Sequence, residues 1–499
     1  MNNNNNMVNN NMNNNYNSNS NGNQQQRNES GQSSRTNTWV QDAGPRYLSE
    51  PPFYAGPTDA NGYPIDDKGK QPYTIETKSV QPTPMETPRD SIDLEKQKDA
   101  HGGSHDAHGH DAHGHGGIDP HLKDPNQPVL PYGVRLRHFT WAWYTLTMST
   151  GGIATLLANQ PHAFPGLISI GAAFYIINLF FFAFLGAMMV LRFTKFPGSF
   201  KESLKHEREG LFFPTFWLSI ATIITGTQKF VVQMYEANHP MRGWIITSMA
   251  IAFWIYVFCT FCLAIFQYSF LFISHTYLPA KMLPTWLLPV FPIMLGGTIA
   301  STIAADQPLE SRYPILVAGL GCQGLGFTIA IIMYAHYIGR LMQTGPPHGE
   351  HRPGMFIGVG PPSFTILALL GMANALPTDF DAQGDGLLDG NLIRTLALVS
   401  ALFLWVLAMW FFMIALIATL HTLPKYFHCG WWAMVFPNTG FVLATIAIGN
   451  ALNDEIILFV ANGMTIALIV MWTFVLYHHI RAVIVADIVY PGRDEDVAD

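Results

Sequence analysis

From Arg135 onward the chain is a succession of apolar runs separated by short polar connections. Each run is close to the ~20 residues that a helix needs to cross a bilayer. Ten membrane helices are expected, over 138–158, 167–191, 211–232, 244–272, 283–304, 314–338, 355–376, 395–420, 431–449 and 457–480. The fold class read from this pattern is an all-α polytopic membrane protein. Cytoplasmic connections collect Lys and Arg, so the charges between runs set the orientation. Arg135 and Arg137 precede the first run, and Arg192, Lys195, Lys201, Lys205 and Arg208 follow the second. Lys281 follows the fourth, Arg340 and Arg352 the sixth, Lys425 the eighth and Arg481 the tenth. The opposite connections hold only Lys229, Arg242, Arg312 and Arg394, and one of them carries Asp379, Asp381, Asp385 and Asp389. Both termini are therefore expected to be cytosolic.

The runs also alternate in kind. Odd-numbered runs carry glycine, proline and hydroxyl residues: Ser149-Thr150-Gly151-Gly152, Phe213-Pro214-Thr215, Phe291-Pro292 ahead of Gly296-Gly297-Thr298, Gly360-Pro361-Pro362-Ser363 and Phe436-Pro437-Asn438-Thr439. Even-numbered runs are denser in Phe, Ile, Leu, Tyr and Trp. Small residues let helix backbones approach, and hydroxyls bond across helices or line a hydrated path. Five helical hairpins are predicted, with odd helices forming an inner ring and even helices a lipid-facing outer ring. Gly and Pro are also simply common in membrane helices, which is the plainer account of the same residues.

Residues 1–36 are dominated by Asn, Ser and Gln, with too few apolar residues to bury a core, and disorder is expected there. A Pro-, Gly- and charge-rich stretch continues to about 130, so 1–130 reads as a cytosolic tail, 131–484 as the membrane domain and 485–499 as a short acidic cytosolic tail. No basic segment followed by an apolar one opens the chain, and a cleaved signal peptide is not expected. His101, His105, His108, His110, His113, His115 and His121 alternate with Gly, Asp and Ala. Such a tract can gather zinc or nickel, but without a fixed scaffold it reads first as solvated linker, and no metal site or cofactor is expected. Charged residues make up 12% of the chain, against ~25% in soluble domains. The net charge of −7 and the absence of a basic patch give no reason to expect nucleic acid. Cys259, Cys262, Cys322 and Cys429 lie in or beside apolar runs and are expected as buried thiols without disulfides.

No run holds a central carboxylate pair, a Walker loop, H-E-x-x-H or G-x-S-x-G, so an enzyme is not expected. Gly321–Gly326, reading G-C-Q-G-L-G, lies inside a run and reads as close helix packing. The candidate path residues are instead neutral or positive: Ser149, Thr150, Thr222, Thr225, Gln228, Lys229, Thr298, Ser301, Ser363, Asn374, Asn438 and Thr439. Hydrogen-bond donors and the positive ends of broken helices suit an anion that must enter and leave. Each residue alone can equally be structural, and Lys229 can simply extend to the interface. His138 can titrate or anchor the interface. Pro292, Pro361 and Pro437 are expected kinks, tolerated only where protein or water satisfies the freed carbonyl. Phe436, beside Pro437 and Asn438, is a candidate plug, with ordinary helix packing as its alternative.

Several blocks together resemble one family. They are R-L-R-H-F-T-W-A-W at Arg135–Trp143, S-T-G-G-I at Ser149–Ile153 and L-P-T-W-L-L-P-V-F-P-I-M at Leu283–Met294. G-L-G-F at Gly324–Phe327, R-P-G-M-F-I-G-V-G-P-P-S-F at Arg352–Phe364, C-G-W-W-A-M-V-F-P-N-T-G-F at Cys429–Phe441 and Y-P-G-R-D-E-D at Tyr490–Asp496 complete the set. The membrane region resembles the fungal malic acid transport proteins of the tellurite-resistance/dicarboxylate transporter family, relatives of plant slow anion channels. The resemblance implies ten helices as five hairpins around a pore, a homotrimer with one pore per subunit, and a ninth-helix phenylalanine gate, to which Phe436 corresponds. It also implies malate, with succinate or fumarate, as cargo at the plasma membrane, and leaves protons open as a co-substrate. An inorganic anion channel or sulfite exporter on the same fold is the alternative. A receptor or scaffold working through the tail, and metal handling by the histidine tract, are the readings from other classes.

Overall fold

Lipid offers the backbone no hydrogen-bond partner, so a chain crossing it must satisfy every N–H and C=O internally. The apolar runs accordingly fold as helices. The computed structural model describes residues 130–491 and 494, apart from 237, 238 and 378. The expectations for residues 1–129, the asparagine-rich front and the histidine tract among them, lie outside the described residues. The main helices are α1 (Tyr144–Ala158), α2 (Leu167–Lys195), α3 (Pro214–Phe230), α4 (Pro240–Ser274) and α5 (Phe291–Ile303). They continue as α6 (Leu309–Thr344), α7 (Gly360–Ala375), α8 (Gly390–His421), α9 (Phe436–Leu452) and α10 (Glu455–Ile484).

Among the described residues, nine helical stretches are long and apolar enough to cross a membrane. The first expected span falls short of that length. Its α-helix has 15 residues, about 22 Å of rise against a ~30 Å hydrocarbon core, and the 3-10 turn Trp141–Trp143 extends it.

The odd helices close a ring, in which α1 packs on α3, α3 on α5, α5 on α7, α7 on α9 and α9 back on α1. Each even helix lies outside, against the odd helix before it and the odd helix after it. Burial follows the same division. In the stretches containing α3, α5, α7 and α9, 67 to 89% of the most apolar window is buried, whereas in α2, α4, α6, α8 and α10 the share is 22 to 39%. The alternation in composition is therefore an alternation between ring and rim. Of the four thiols, all unbridged, Cys322 and Cys429 are buried as expected, Cys322 on the side of rim helix α6 that meets Gly296 of α5; Cys259 and Cys262, on rim helix α4, are only half-buried.

The prolines expected as kinks are placed differently. Pro292, Pro361 and Pro437 stand in the first turn of α5, α7 and α9, as Pro214 does in α3. A proline there removes an N–H that has no intrahelical acceptor anyway, so it starts the helix without breaking a bond. The irregularity lies just before it, where the chain runs as the 3-10 segments Pro284–Val290, Gly349–Val359 and Cys429–Met434. Each bend is thus a change of helix type inside the ring.

The N-terminal ends of the odd helices are tied down by charged anchors. Arg192, at the end of α2, and Glu209 are both buried and meet in a two-pronged ion pair, while Arg192 also donates to the Phe139 carbonyl at 2.6 Å. Arg135 donates to the carbonyls of Val483, Ile488 and Val489, binding the chain beyond α10 to the start of the domain. The Glu350 carboxylate accepts the backbone N–H groups of Lys425 and Tyr426. On the opposite face, the acidic connection before α8 is folded around Asp381. Its carboxyl is held below the usual range by the backbone N–H of Gly386, at 2.8 Å, and by those of Gln383 and Gly384.

Breaking a buried pair strands a charge, at a cost of about 3–5 kcal/mol, whereas an exposed pair contributes about 0–1 kcal/mol. Glu209→Gln should therefore lower the thermal unfolding midpoint of the detergent-purified protein by several degrees. Arg137→Gln, which removes the exposed 3.9 Å contact with Glu202, should leave the midpoint unchanged.

Candidate functional site

Each ring helix turns one helical face to the axis. On α3 this face is Thr222, Thr225 and Lys229; on α5 it is Thr298, Ser301 and Thr302; on α7 it is Phe364, Leu367, Gly371 and Asn374. Helix α9 contributes Phe436, Thr439 and Leu443, and α1 contributes Gly152, Thr155 and Asn159. These spacings of three, four and seven residues are those that stack side chains along one side of a helix. Together the faces enclose a cavity of about 810 Å³ toward the C-terminal ends of the ring helices. A second cavity of about 580 Å³ lies at their N-terminal ends, lined by Phe212, Leu288, Phe291, Ile357, Ala433 and Pro437 among others. Phe436 borders both.

Between the cavities three buried rings meet. Phe436 stacks on Phe364 with centroids 5.1 Å apart, and Phe291 completes the layer at 6.1 Å from Phe364 and 6.5 Å from Phe436. Glycines seat the rings. A Cβ at Gly360 would lie 2.3 Å from Cζ of Phe291, and one at Gly440 would lie 2.9 Å from Cζ of Phe364. The layer is buried and apolar, so an anion crossing it in this conformation would lose its hydration without gaining partners.

The sequence-predicted path residues divide into two groups. Thr222, Thr225, Lys229, Thr298, Ser301, Asn374 and Thr439 line the larger cavity. Ser149, Thr150, Gln228, Ser363 and Asn438 line neither. Ser149 donates to the Trp432 carbonyl at 3.4 Å, Thr150 accepts from the Trp472 indole at 3.2 Å, and Ser363 donates to the Val359 carbonyl. Gln228 donates to Asp306 at 2.6 Å, and Asn438 donates to the Met434 carbonyl at 2.8 Å.

The lining hydroxyls are also less available as donors than their type suggests. Those of Thr222, Thr225, Ser301 and Thr439 donate to carbonyls three or four residues back in their own helices. The donors held in reserve are others. The Thr298 hydroxyl has no partner among the described residues, and Lys229 forms no hydrogen bond or ion pair among them. The nearby carboxylate, Asp306, is already taken by Arg242 at 2.8 Å and by Gln228. The larger cavity is thus left with a cationic balance from Lys229 and Arg394.

Three residues at the site were not among those expected from the sequence. Arg394 borders the larger cavity from rim helix α8, with its guanidinium partly spent on the Leu376 carbonyl at 3.1 Å. Its signal was being one of few cations on a sparsely charged face. Phe291 and Phe364 complete the aromatic layer, and only their adjacency to Pro292 and to the Pro361-Pro362 pair hinted at it. In the smaller cavity the Tyr277 hydroxyl has no partner among the described residues. Burial, reinforced by the charge of Glu207, pushes it up to about 12, so it remains a neutral donor.

Residues 138–480 match the profile of the voltage-dependent anion channel family, SLAC1. A "Malic acid transport protein" of Schizosaccharomyces pombe is 34% identical over 384 residues, covering 76% of this chain and 85% of that protein. A "Putative malic acid transport protein" of the same organism is 34% identical over 379 residues, 74% of this chain and 85% of that one. A "Sulfite efflux pump" of Arthroderma otae is 24% identical over 352 residues, 68% of this chain and 90% of that one.

If the aromatic layer is what closes the axis, Phe436→Ala should raise basal anion flux by about tenfold, the effect of lowering a barrier by about 1.4 kcal/mol. Flux into vesicles, normalised to protein incorporated, checks this, and unchanged flux would remove Phe436 from the gate. Gly360→Ala should act in the same direction by displacing the Phe291 ring.

Proposed function

The chain belongs to the voltage-dependent anion channel family, whose members are transporters or channels and not enzymes, and on that premise we propose that it carries C4-dicarboxylates, malate with succinate and fumarate, along the axis of the five-helix ring. Phe436 is the gate, with Phe291 and Phe364 beside it. Thr222, Thr225, Thr298, Ser301, Asn374 and Thr439 line the path, Lys229 supplies the charge that holds the anion, and Gln228 acts indirectly by helping Arg242 to occupy Asp306. Ser149, Thr150, Ser363 and Asn438 support the ring walls. The observation that carries this reading is Lys229, a half-buried ammonium facing a cavity whose one nearby carboxylate, Asp306, is shared with Arg242 and Gln228 and makes no direct contact with it. A cationic surplus in such a place favours an anionic occupant. The two malic acid transport proteins, at 34% identity, support a dicarboxylate over a smaller anion.

The setting follows from the same reading. The protein is a multi-pass membrane protein, and we place it in the plasma membrane as a homotrimer, each subunit with its own path. Arg208, Lys281, Arg340 and Arg352 at the N-terminal ends of the ring helices support a cytosolic position for that face and for both termini. Protons are a candidate co-substrate. Sulfite or another inorganic anion is the second reading, favoured by the sulfite efflux pump relatives at 24% identity.

Purified protein in vesicles should take up labelled malate, and succinate should block the uptake while chloride does not. Comparison at two pH values reads proton participation. Lys229→Gln should raise KM about tenfold, the order of one charge-assisted hydrogen bond. Vesicles that pass sulfite or chloride but no malate would overturn the cargo and leave the fold standing.

A further inference from the structure

The cations at the N-terminal face are not equivalent. Arg192, Arg135 and Arg352 spend their guanidinium groups on the protein: Arg192 on Glu209, Arg135 on three carbonyls, and Arg352 on the carbonyls of Pro347 and Ala418. These are anchors. Arg340 and Lys281 border the smaller cavity and are spent on almost nothing. The single protein acceptor that Arg340 has among the described residues is the Ala280 carbonyl, at a long 3.4 Å from Nε, and its Nη1 is buried without a partner among them. The ammonium of Lys281, the residue after that carbonyl, is exposed and forms no side-chain hydrogen bond or ion pair among the described residues. Tyr277, at the other end of the same short segment, holds its hydroxyl buried and unbonded against the same cavity. Three donors, two of them cationic, therefore border one cavity without a protein hydrogen-bond acceptor for the Arg340 Nη1, the Tyr277 hydroxyl or the Lys281 ammonium among the described residues, and the one lining carboxylate, Glu207, acts on Tyr277 only through its charge.

Orphaned donors at a cavity wall identify the missing partner by its chemistry. It must accept several hydrogen bonds and carry negative charge, which an oxyanion does and water does only in part. The planar guanidinium fork suits a carboxylate in particular. We infer that Arg340, Lys281 and Tyr277 form a second oxyanion site, separated by the aromatic layer from the one at Lys229, and that a carboxylate of the cargo occupies it. The identity of that cargo rests on the function proposed above. With one station on either side of Phe436, a transported anion has only the thin apolar layer to cross between two cationic holds. The N-terminal station also gathers the anion where the surrounding connections are rich in positive charge.

The test is equilibrium dialysis of labelled malate against the purified full-length protein in detergent. Wild type should show two classes of site. Arg340→Gln should lose one class and keep the other, Lys229→Gln should lose the complementary class, and Arg340→Lys should keep both with the N-terminal class weakened about tenfold, as expected when a fork is replaced by a point charge. Thermal unfolding of each variant confirms folding, and if Arg340→Gln does not fold, Lys281→Gln and Tyr277→Phe together read the same loss. Both classes surviving in the folded variants, or a single class in wild type, would overturn the second site. Two classes for sulfite but none for malate, with Arg340→Gln still removing one, would keep the site and overturn the cargo. No bound malate, sulfite or phosphate in wild type would overturn both.

Discussion

Lipid cannot satisfy a broken backbone, and the rest of this architecture follows from that constraint. Four of the ring helices start from 3-10 segments and four carry a proline in their first turn, so their starts hold polar backbone groups that hydrocarbon would leave bare. Enclosing them requires a second layer. The rim helices supply it, long, apolar and continuous, each bridging two neighbours of the ring. Helices that can be irregular are thereby separated from helices that cannot, and only the former reach the axis. A ring of five irregular helices leaves a cavity at each end and, where the α-helical starts of α5, α7 and α9 converge, a waist narrow enough for three phenyl rings to fill.

The charges are arranged around the same waist. Near the N-terminal ends, buried arginines are consumed in holding segments together, and the Arg192–Glu209 pair is structural because either partner alone would be an uncompensated charge. Toward the axis the pattern changes. Asp306 is neutralised by Arg242, the hydroxyls of the lining are turned into their own helices, and the charges left over are positive. Such a path does not compete with water through a dense cluster of donors. It offers a few unspent ones at fixed positions, the arrangement that the proposed passage of an anion requires for binding and departure.

Much of this was legible in the sequence, because membrane burial writes itself into composition. The rim could be read from Phe, Ile and Leu density and the ring from Gly, Pro and hydroxyl residues, while Phe436 beside Pro437 pointed to the position that borders both cavities. Fine placement could not be read. Ser149 and Thr439 are both hydroxyls on ring helices, yet one faces the Cys429–Met434 segment and the other the cavity, a difference of rotation that periodicity over so uniformly apolar a helix does not resolve. The prolines signalled irregularity but not that it precedes them as 3-10 helix. Arg394 reads as a loop charge until α8 carries it to the cavity's rim, and Asn178, buried on α2 with neither amide atom bonded among the described residues, stands out in a Phe-rich run without a role that the run explains.

If the aromatic layer divides one continuous axis into two compartments, cysteine accessibility reads the division. In a background without native cysteines, Thr439→Cys would report the larger cavity and Ala433→Cys the smaller one, each challenged with a membrane-impermeant thiol reagent from either side of sealed vesicles. Each position should react from one side only, and the two from opposite sides. Reaction of both positions from the same side would contradict the division.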